Sequence, residues 1–341
     1  MPVAASRPLP PLPSRAPVPV PDERASDDPG SAEPAAHDGL PDDAAPAGDD
    51  ARTATAMPLP EAVAQLPTTE QPVSRAGRNL RAAIGVGVSL VAVILLSLFL
   101  WRPAFLGVLV VAILVAVVEL TRALGKGGFS APLVPLLVGA LAMEGLAWTR
   151  GPTGLLTGFF LTALAVLLWR LAGGPVGYRR DAAAGVLTAL YVPFLAGFAV
   201  LLLVPDDGAV RVTAFIATVI ASDVGGYAAG VLFGKHAMAP SISPKKSWEG
   251  MAGSVLACML VATPILVLGL DAPWWGGLIF GAALAVSATI GDLAESLIKR
   301  DLGIKDMGDL LPGHGGIMDR LDSLLPSAAA AYLLLALLAP A

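Results

Sequence analysis

The chain has 341 residues, of which 55% are hydrophobic and only 14% are charged, and its mean hydropathy is +0.72. Because a water-soluble domain carries roughly 25% charged residues, this composition excludes a soluble enzyme. The formal net charge of −5 combines an acidic N-terminal segment with a slightly basic remainder.

The first predicted element, residues 1–74, is a tail that contains 16 of the 30 prolines and 12 acidic residues against four arginines. Such a segment buries too little apolar surface to offset its ordering entropy, so we expect a disordered cytoplasmic extension. A partner-binding arm is the alternative. The first long apolar run begins near Ile84, and we expect no cleavable signal peptide.

The rest of the chain, residues 75–341, is predicted to be one membrane-embedded, all-α domain with about nine transmembrane helices. Apolar stretches near 20 residues recur there, which is the length needed to cross about 30 Å of hydrocarbon. The predicted spans are 83–101, 104–121, 131–149, 152–171, 182–204, 209–234, 249–270, 274–293 and 322–340. Only Arg102 and Pro103 separate the first two, so one long broken segment is the alternative there.

The basic residues predict the orientation. If the N-terminus is cytoplasmic, 15 basic residues of this domain lie on the inner side and three on the outer side, as the positive-inside rule requires. The inner ones are Arg75, Arg78, Arg81, Arg122, Lys126, Arg170, Arg179, Arg180, Lys235, Lys245, Lys246, Lys299, Arg300, Lys305 and Arg320, and the outer ones are Arg102, Arg150 and Arg211. A topology with eight spans would place the later loops on the opposite side of the membrane and would spoil this distribution of basic residues. We therefore expect a multi-pass protein of the cell (plasma) membrane with its C-terminus outside.

Asp223 lies within the sixth apolar segment, in the run SDVGGYAAGVLFGKH. A carboxylate at that depth is costly and marks a functional site by default; the structural alternative is a hydrogen bond to Ser222 or Tyr227. Glycines recur here at every fourth residue, at 226, 230 and 234. That spacing lines one helix face and indicates close helix packing rather than catalysis.

The next inner loop reads SISPKKSWEG, with Lys245 and Lys246 between Ser243 and Ser247. Two ammonium groups beside hydroxyls at the start of a helix suit a polyphosphate, because the helix amides add further donors. Lysines at this position also serve as ordinary membrane anchors. The motif in isolation leaves both interpretations open.

The densest group of charges lies in residues 291–325, GDLAESLIKRDLGIKDMGDLLPGHGGIMDRLDSLL. Two carboxylate pairs with a spacing of three, Asp292 with Glu295 and Asp319 with Asp322, each fall on one helix face. Together with Asp223 they predict an all-oxygen site of the kind that Mg²⁺ prefers. The basic residues between the pairs are suited to phosphate oxygens. A solvated loop with surface ion pairs is the alternative.

Other common sites are absent from the sequence. It has no Walker-type phosphate loop, no His-Glu-x-x-His zinc helix and no Gly-x-Ser-x-Gly elbow. Only three histidines occur, His37, His236 and His314, which argues against a histidine-rich metal site. The residues alone therefore predict a cytoplasm-facing, membrane-embedded site for phosphates and Mg²⁺. They do not identify the substrate.

The C-terminal motif resembles the signature of the phosphatidate cytidylyltransferase family, the CDP-diacylglycerol synthases. Residues that fill its fixed positions are Ser296, Lys299, Arg300, Lys305, Asp306, Pro312, His314, Gly315, Gly316, Asp319, Arg320 and Asp322. The run from Asp223 through SISPKKSWEG resembles the family's upstream pattern. The resemblance covers roughly residues 80–341 and does not extend to the tail.

This resemblance implies that CMP is transferred from CTP to phosphatidic acid, giving CDP-diacylglycerol and pyrophosphate for phospholipid biosynthesis. The implied metal ligands are Asp223, Asp292, Glu295, Asp319 and Asp322, which would hold Mg²⁺ and a second cation such as K⁺. The implied catalytic residues are Asp223, Lys246, Lys299, Arg300, His314 and Arg320. The implied substrate-binding residues are Ser243, Lys245, Lys246, Ser247, Ser296, Lys305 and His314. His314 is expected to be a phosphate donor rather than a base.

The expected partners are CTP, phosphatidic acid, the bilayer and a second copy of the chain, with no nucleic acid. Two other functions compete with this interpretation. A CTP-dependent polyprenol-type lipid kinase would need a base for its alcohol and would lack the full signature. A secondary transporter would show internal repeats and charges near the midplane, whereas these charges cluster at one side and no repeat is visible.

Overall fold

The structure, a computed structural model, describes residues 89, 91–308 and 315–340. The predicted tail, residues 1–74, and the start of the first predicted span lie outside the described residues. The described helices are α1 (Val91–Leu100), α2 (Arg102–Lys126), α3 (Leu133–Ala172), α4 (Tyr178–Ala189), α5 (Leu195–Leu203), α6 (Gly208–Phe233), α7 (Trp248–Gly269), α8 (Trp274–Asp301), α9 (Met318–Leu321) and α10 (Leu324–Leu338). A π-helical turn, Leu190–Phe194, joins α4 to α5, and two short strands, β1 (Ala237–Ala239) and β2 (Ser243–Ser247), precede α7.

The fold is that of an all-α, multi-pass membrane protein, as the sequence predicts. Within the described residues, seven helical segments are long and apolar enough to cross a membrane, counting Tyr178–Leu203 and Met318–Leu338 as one segment each. Large apolar side chains cover the outer surface; Leu268 is 84% exposed and Leu337 is 80% exposed. So much exposed aliphatic surface is unfavourable in water and is expected where helices face lipid.

Helix α3 is a hairpin of two antiparallel arms rather than one straight rod. Gly151 has φ 64° and ψ −150°, outside the helical region, and Pro152 follows it. Beyond this turn the arms pack together, since a Cβ on Gly139 would meet Thr162 and a Cβ on Gly158 would meet Met143. The arms, 18 and 21 residues long, correspond to the two predicted spans 131–149 and 152–171.

The boundary between α1 and α2 is a break of the backbone. Trp101 is extended, with φ −158° and ψ 98°, and a proline lies in the first turn of α2. Pro103 lacks an N–H and is tolerated in a first turn but not in a helix interior. The structure therefore contains two helices here, with a break between them at Trp101.

The helices that carry the predicted site pack closely through glycines. A Cβ on Gly281 of α8 would lie 2.6 Å from the Met259 nitrogen of α7, and a Cβ on Gly225 of α6 would lie 2.7 Å from the Gly253 oxygen of α7. Small residues allow such approach of backbones in a bilayer. The ends of α6, α7 and α8 are thereby held against one another, and β1 and β2 lie beside them.

Candidate active site

The strands β1 and β2 form an antiparallel hairpin that presents two lysines. Ala237 pairs with Ser247 and Ala239 pairs with Ser243, so Lys245 and Lys246 lie on β2 itself, in a segment that the hydropathy pattern leaves as a loop. Ser247 then caps α7, since its Oγ accepts a hydrogen bond from the Gly250 N–H at 3.1 Å. Serine is a preferred residue at this position, which explains why the helix begins there.

A first cavity, of about 290 Å³, lies between α6, β2, α7 and α8 and is here called the carboxylate cavity. Its charged lining consists of Asp223, Asp292, Lys245 and Lys246, with Ser247 beside them. Lys246 Nζ lies 2.5 Å from Asp292 Oδ2, and the Ser296 hydroxyl donates to Asp292 Oδ1 at 3.3 Å. The structure therefore brings the lysines of β2 and Asp292 together, as the sequence interpretation requires.

Asp223 lines this cavity. It is attracted by Lys246 and Arg320 and repelled by Asp292, and among the described residues it has no hydrogen bond to Ser222 or Tyr227. The Ser222 carbonyl instead accepts from the Ser254 hydroxyl at 2.7 Å. Those contacts favour the functional interpretation of Asp223 over the structural one.

The glycine stripe serves helix packing at the same place. A Cβ on Gly226 would lie 2.4 Å from Ser254 Oγ, and one on Gly234 would lie 2.9 Å from Ser247 Oγ. Gly230 lies opposite Gly250. The packing interpretation is confirmed. These contacts hold the backbone of α6 directly against Ser247 of β2 and against α7.

The second pair of carboxylates is engaged differently. Asp319 Oδ1 accepts a hydrogen bond from Lys299 Nζ at 3.0 Å, and Glu295 Oε1 lies 3.1 Å from the same ammonium. Asp319 also accepts the backbone N–H of Met307 at 3.1 Å and that of Gly316 at 2.9 Å. It therefore fixes both ends of the segment that carries His314, which itself lies outside the described residues.

A second cavity, of about 250 Å³, adjoins the first and is here called the cationic cleft. Its polar lining consists of Ser243, Lys245, Ser296, Lys299, Arg300 and Lys305. The Arg300 Nε donates to the Ile242 carbonyl at 3.3 Å. This hydrogen bond links the end of α8 to the turn between β1 and β2. Four cations around one small cleft form a site for a polyanion.

Asp322 and Arg320 complete the charged group. The Asp322 carboxylate accepts the Ser323 N–H at 2.6 Å and is repelled by Asp292 and Asp223. Arg320 also attracts Asp223. The sequence-predicted site residues that the structure describes thus line one of the two adjoining cavities or interact with residues that do.

The carboxylates have the donor chemistry of a Mg²⁺ site, but they do not form a complete set of ligands. In the described part of the chain, no three Asp, Glu, His or Cys side chains converge closely enough to hold a metal. Asp223 and Asp292 line one cavity, and Mg²⁺ is usually bound by one or two carboxylates plus substrate phosphates. The donor set therefore fits a divalent cation that arrives with a phosphate ligand.

Two residues near the site are not among those predicted from the sequence. Glu119 of α2 is buried and its Oε2 accepts the Met318 N–H at 2.8 Å, at the start of α9. Tyr191 lies in the π-helical turn, its hydroxyl is buried without a hydrogen-bond partner among the described residues, and it interacts electrostatically with Glu295 and Asp322. A carboxylate within an apolar run is a functional signal, so Glu119 could have been found in the same way as Asp223.

Comparisons with known proteins agree with this site. A model of the Cytidylyltransferase family matches residues 81–338. A phosphatidate cytidylyltransferase of Mycobacterium bovis is 47% identical over 289 residues, which cover 80% of this chain and 93% of the relative. A phosphatidate cytidylyltransferase of Mycobacterium tuberculosis H37Rv is also 47% identical, over 80% of this chain and 87% of the relative. One of Mycobacterium leprae is 48% identical, covering 77% and 90% respectively.

Proposed function

The chain belongs to the Cytidylyltransferase family, and we propose that it transfers CMP from CTP to phosphatidic acid, giving CDP-diacylglycerol and pyrophosphate. The observation that carries the proposal is the position of Lys245, which lines both the carboxylate cavity and the cationic cleft. One polar surface at the ends of apolar helices thus offers cations for a triphosphate and carboxylates for a divalent cation. The relatives named phosphatidate cytidylyltransferase support the same reaction.

The chemistry requires little covalent participation by the protein. An oxygen of the lipid phosphate attacks the α-phosphorus of CTP, and the bond from that phosphorus to the oxygen bridging to the β-phosphorus breaks. Pyrophosphate leaves with that oxygen and its electron pair. Because the attacking oxygen is already anionic, catalysis depends on positioning and on neutralising charge.

The cationic cleft supplies that positioning. We assign the phosphates of CTP to Lys245, Lys299 and Arg300, with hydroxyl donors from Ser243 and Ser296, and we assign Lys305, at the edge of the cleft, to the phosphate of the lipid substrate. The contacts of Lys299 with Glu295 and Asp319 hold its ammonium in place, which reduces the conformational entropy lost when phosphate binds. His314 is proposed as one more phosphate donor, and Lys246, Ser247 and Arg320 as donors at the edge of the carboxylate cavity.

The carboxylates are proposed to hold Mg²⁺. Asp223 and Asp292 would be the protein ligands, with Asp322 and Glu295 beside them, and Asp319 would position the loop. When bound, the cation neutralises charge on the reacting phosphates. We further propose that a second cation such as K⁺ binds near the same carboxylates.

The orientation follows from charge. We propose that the protein lies in the cell membrane with its N-terminus and active site on the cytoplasmic side, where CTP is present, and its C-terminus outside. The support is the distribution of basic residues. A homodimer is proposed on the resemblance alone.

The test is pyrophosphate release by the purified protein in detergent with Mg²⁺ and CTP, with and without phosphatidic acid. Lipid-dependent release together with a CDP-lipid product supports the proposal, and chelation of Mg²⁺ should abolish it. Formation of CDP and a phosphorylated alcohol from a supplied polyprenol would instead identify a CTP-dependent kinase. No turnover in either assay would favour transport.

A further inference from the structure

A third cavity, of about 920 Å³, lies outside the two already described and is here called the α2 groove. It is bounded by α2, by the first arm of α3 and by residues 304–308. On α2 and α3 its apolar lining consists of Leu114, Val115, Val118, Leu137 and Leu141. These side chains come from helices that the composition assigns to the hydrocarbon region, so an apolar ligand in the groove would remain in the bilayer.

The groove has the depth of one membrane leaflet. Its lining on α2 extends from Leu114 to Lys126, and at 1.5 Å per residue this distance is roughly 18 Å along the helix axis. Half of a hydrocarbon core of about 30 Å is about 15 Å. The groove therefore extends from the end of the span to near the bilayer centre, as does the acyl chain of a lipid.

The end of the groove is cationic. Arg122 and Lys126 lie on α2 and Lys305 lies opposite, all three exposed. Across the described ranges, no acidic side chain forms an ion pair with any of them within 4.0 Å. Two carboxylates also line the groove: Asp306, which is exposed, and Glu119, which is buried with Oε2 bound to the Met318 N–H. Three cations at the membrane surface thus remain for an anionic headgroup.

The groove is continuous with the proposed active site. Ile304 and Lys305 line both the α2 groove and the cationic cleft. A phosphate bound at Lys305 would therefore lie at the border between a lipid-filled groove and a cleft with three further cations, Lys245, Lys299 and Arg300. A reaction between a lipid phosphate and a nucleotide phosphate requires such an arrangement.

We propose that the α2 groove binds the phosphatidic acid substrate. An acyl chain lies along Leu114 and Val118, and the phosphomonoester is held by Arg122 and Lys305 so that it faces the cleft that holds the nucleotide. This assignment rests on the proposed function, which it deepens by separating the lipid subsite from the nucleotide subsite.

The first experiment compares matched variants of the full chain. Val118→Trp fills the groove, whereas Val111→Trp makes the same substitution on α2 at a position that is 62% exposed and outside the groove lining. Arg122→Gln removes a groove cation, whereas Arg179→Gln removes an exposed cation elsewhere. KM is measured for phosphatidic acid in mixed micelles and for CTP, and folding is checked by monodispersity and thermal unfolding.

We expect Val118→Trp and Arg122→Gln each to raise KM for phosphatidic acid by about fivefold or more, while KM for CTP changes by less than about twofold. The two controls should leave both constants unchanged. Equal lipid KM values in each matched pair, in protein that makes CDP-lipid, would overturn the groove assignment. Arg122→Gln keeps the test valid if the tryptophan variant fails to fold.

The second experiment measures binding without turnover. Phosphatidic acid with a photoreactive acyl chain, added without CTP, should label peptides that contain residues 114–118. Unlabelled phosphatidic acid should prevent this labelling, whereas glycerol 3-phosphate and inorganic phosphate at equal concentration should not. Competition by inorganic phosphate as strong as that by the lipid would reduce the site to an anion site and overturn the lipid assignment.

The two experiments separate the two proposals. Labelling of residues 114–118 in a protein that forms no CDP-lipid would support the groove and overturn the proposed function. CDP-lipid formation with labelling confined to helices other than α2 and α3 would support the proposed function and overturn the groove.

Discussion

The Lys246 ammonium lies 2.5 Å from the Asp292 carboxylate and joins strand β2 to helix α8 across the carboxylate cavity. Neither side chain is deeply buried; Lys246 is 25% exposed and Asp292 is 38% exposed. Ion pairs in such positions contribute little to stability. The pair is therefore better placed to bind ligands than to hold the fold.

The first prediction concerns this pair. We expect Lys246→Ala and Asp292→Asn each to lower kcat/KM for CTP by about tenfold or more, because one charge of the cavity is left without its partner. The kcat/KM of the double variant should be no lower than that of the less active single variant, since the effects of substitutions at residues in contact are not additive. Steady-state kinetics of the four proteins measure this. Multiplicative effects would show that the two side chains act independently.

The second prediction concerns Asp319. Asp319→Asn should lower CDP-lipid formation by about 10- to 100-fold, because the carboxylate holds the N–H groups of Met307 and Gly316 and the ammonium of Lys299. Membrane insertion should be unchanged. Asp301→Asn, at the exposed end of α8, is the matched control. Full turnover in purified Asp319→Asn would remove Asp319 from the site.

The third prediction concerns the packing of α7 on α8. Gly281→Ala places a Cβ 2.6 Å from the Met259 nitrogen, so we expect a loss of about 1–3 kcal/mol of stability. Gly107 has no atom within 4 Å of the corresponding position, and Gly107→Ala should be neutral or slightly stabilising. Thermal unfolding in detergent compares them. An unchanged Tm in Gly281→Ala would show that α7 and α8 move apart to accommodate the Cβ without loss of stability.

The fourth prediction concerns the N-terminal tail. Deletion of residues 1–70 should leave turnover nearly unchanged, because the family match begins at residue 81 and every proposed site residue follows it. CDP-lipid formation is measured per mole of properly inserted protein. A many-fold loss of activity in the truncated protein would instead assign the tail a catalytic or binding role.

Much of the fold follows from hydropathy, because the cost of burying polar groups in lipid is large and local. The span boundaries are less accurate for a physical reason. Helix α8 is predicted to end near residue 293 but continues to Asp301, since its hydrogen bonds persist after the apolar sequence stops. Hydropathy detects the edge of the hydrocarbon, not the end of the helix.

The site is predictable where its residues are close in sequence and less so where the fold brings them together. Asp292 and Asp319 are recognisable from their motif. The contact of Glu119 with Met318 joins residues 199 apart in the chain, and the α2 groove depends on how α2 packs against α3. The short pairing of β1 with β2 was missed because three and five residues give too little periodicity to detect.

The turn at Gly151 has a consequence for membrane insertion. Its φ of 64° and ψ of −150° are accessible almost only to glycine, and the turn makes the two arms of α3 leave the membrane on the side where they entered. If a bulkier residue forced α3 to continue as one rod, the number of crossings before α4 would change by one. Every later loop, including the hairpin of β1 and β2 with its two lysines, would then be synthesised toward the opposite compartment. A single backbone conformation, remote from the site, thus decides the parity of the topology and with it the compartment from which the nucleotide must come.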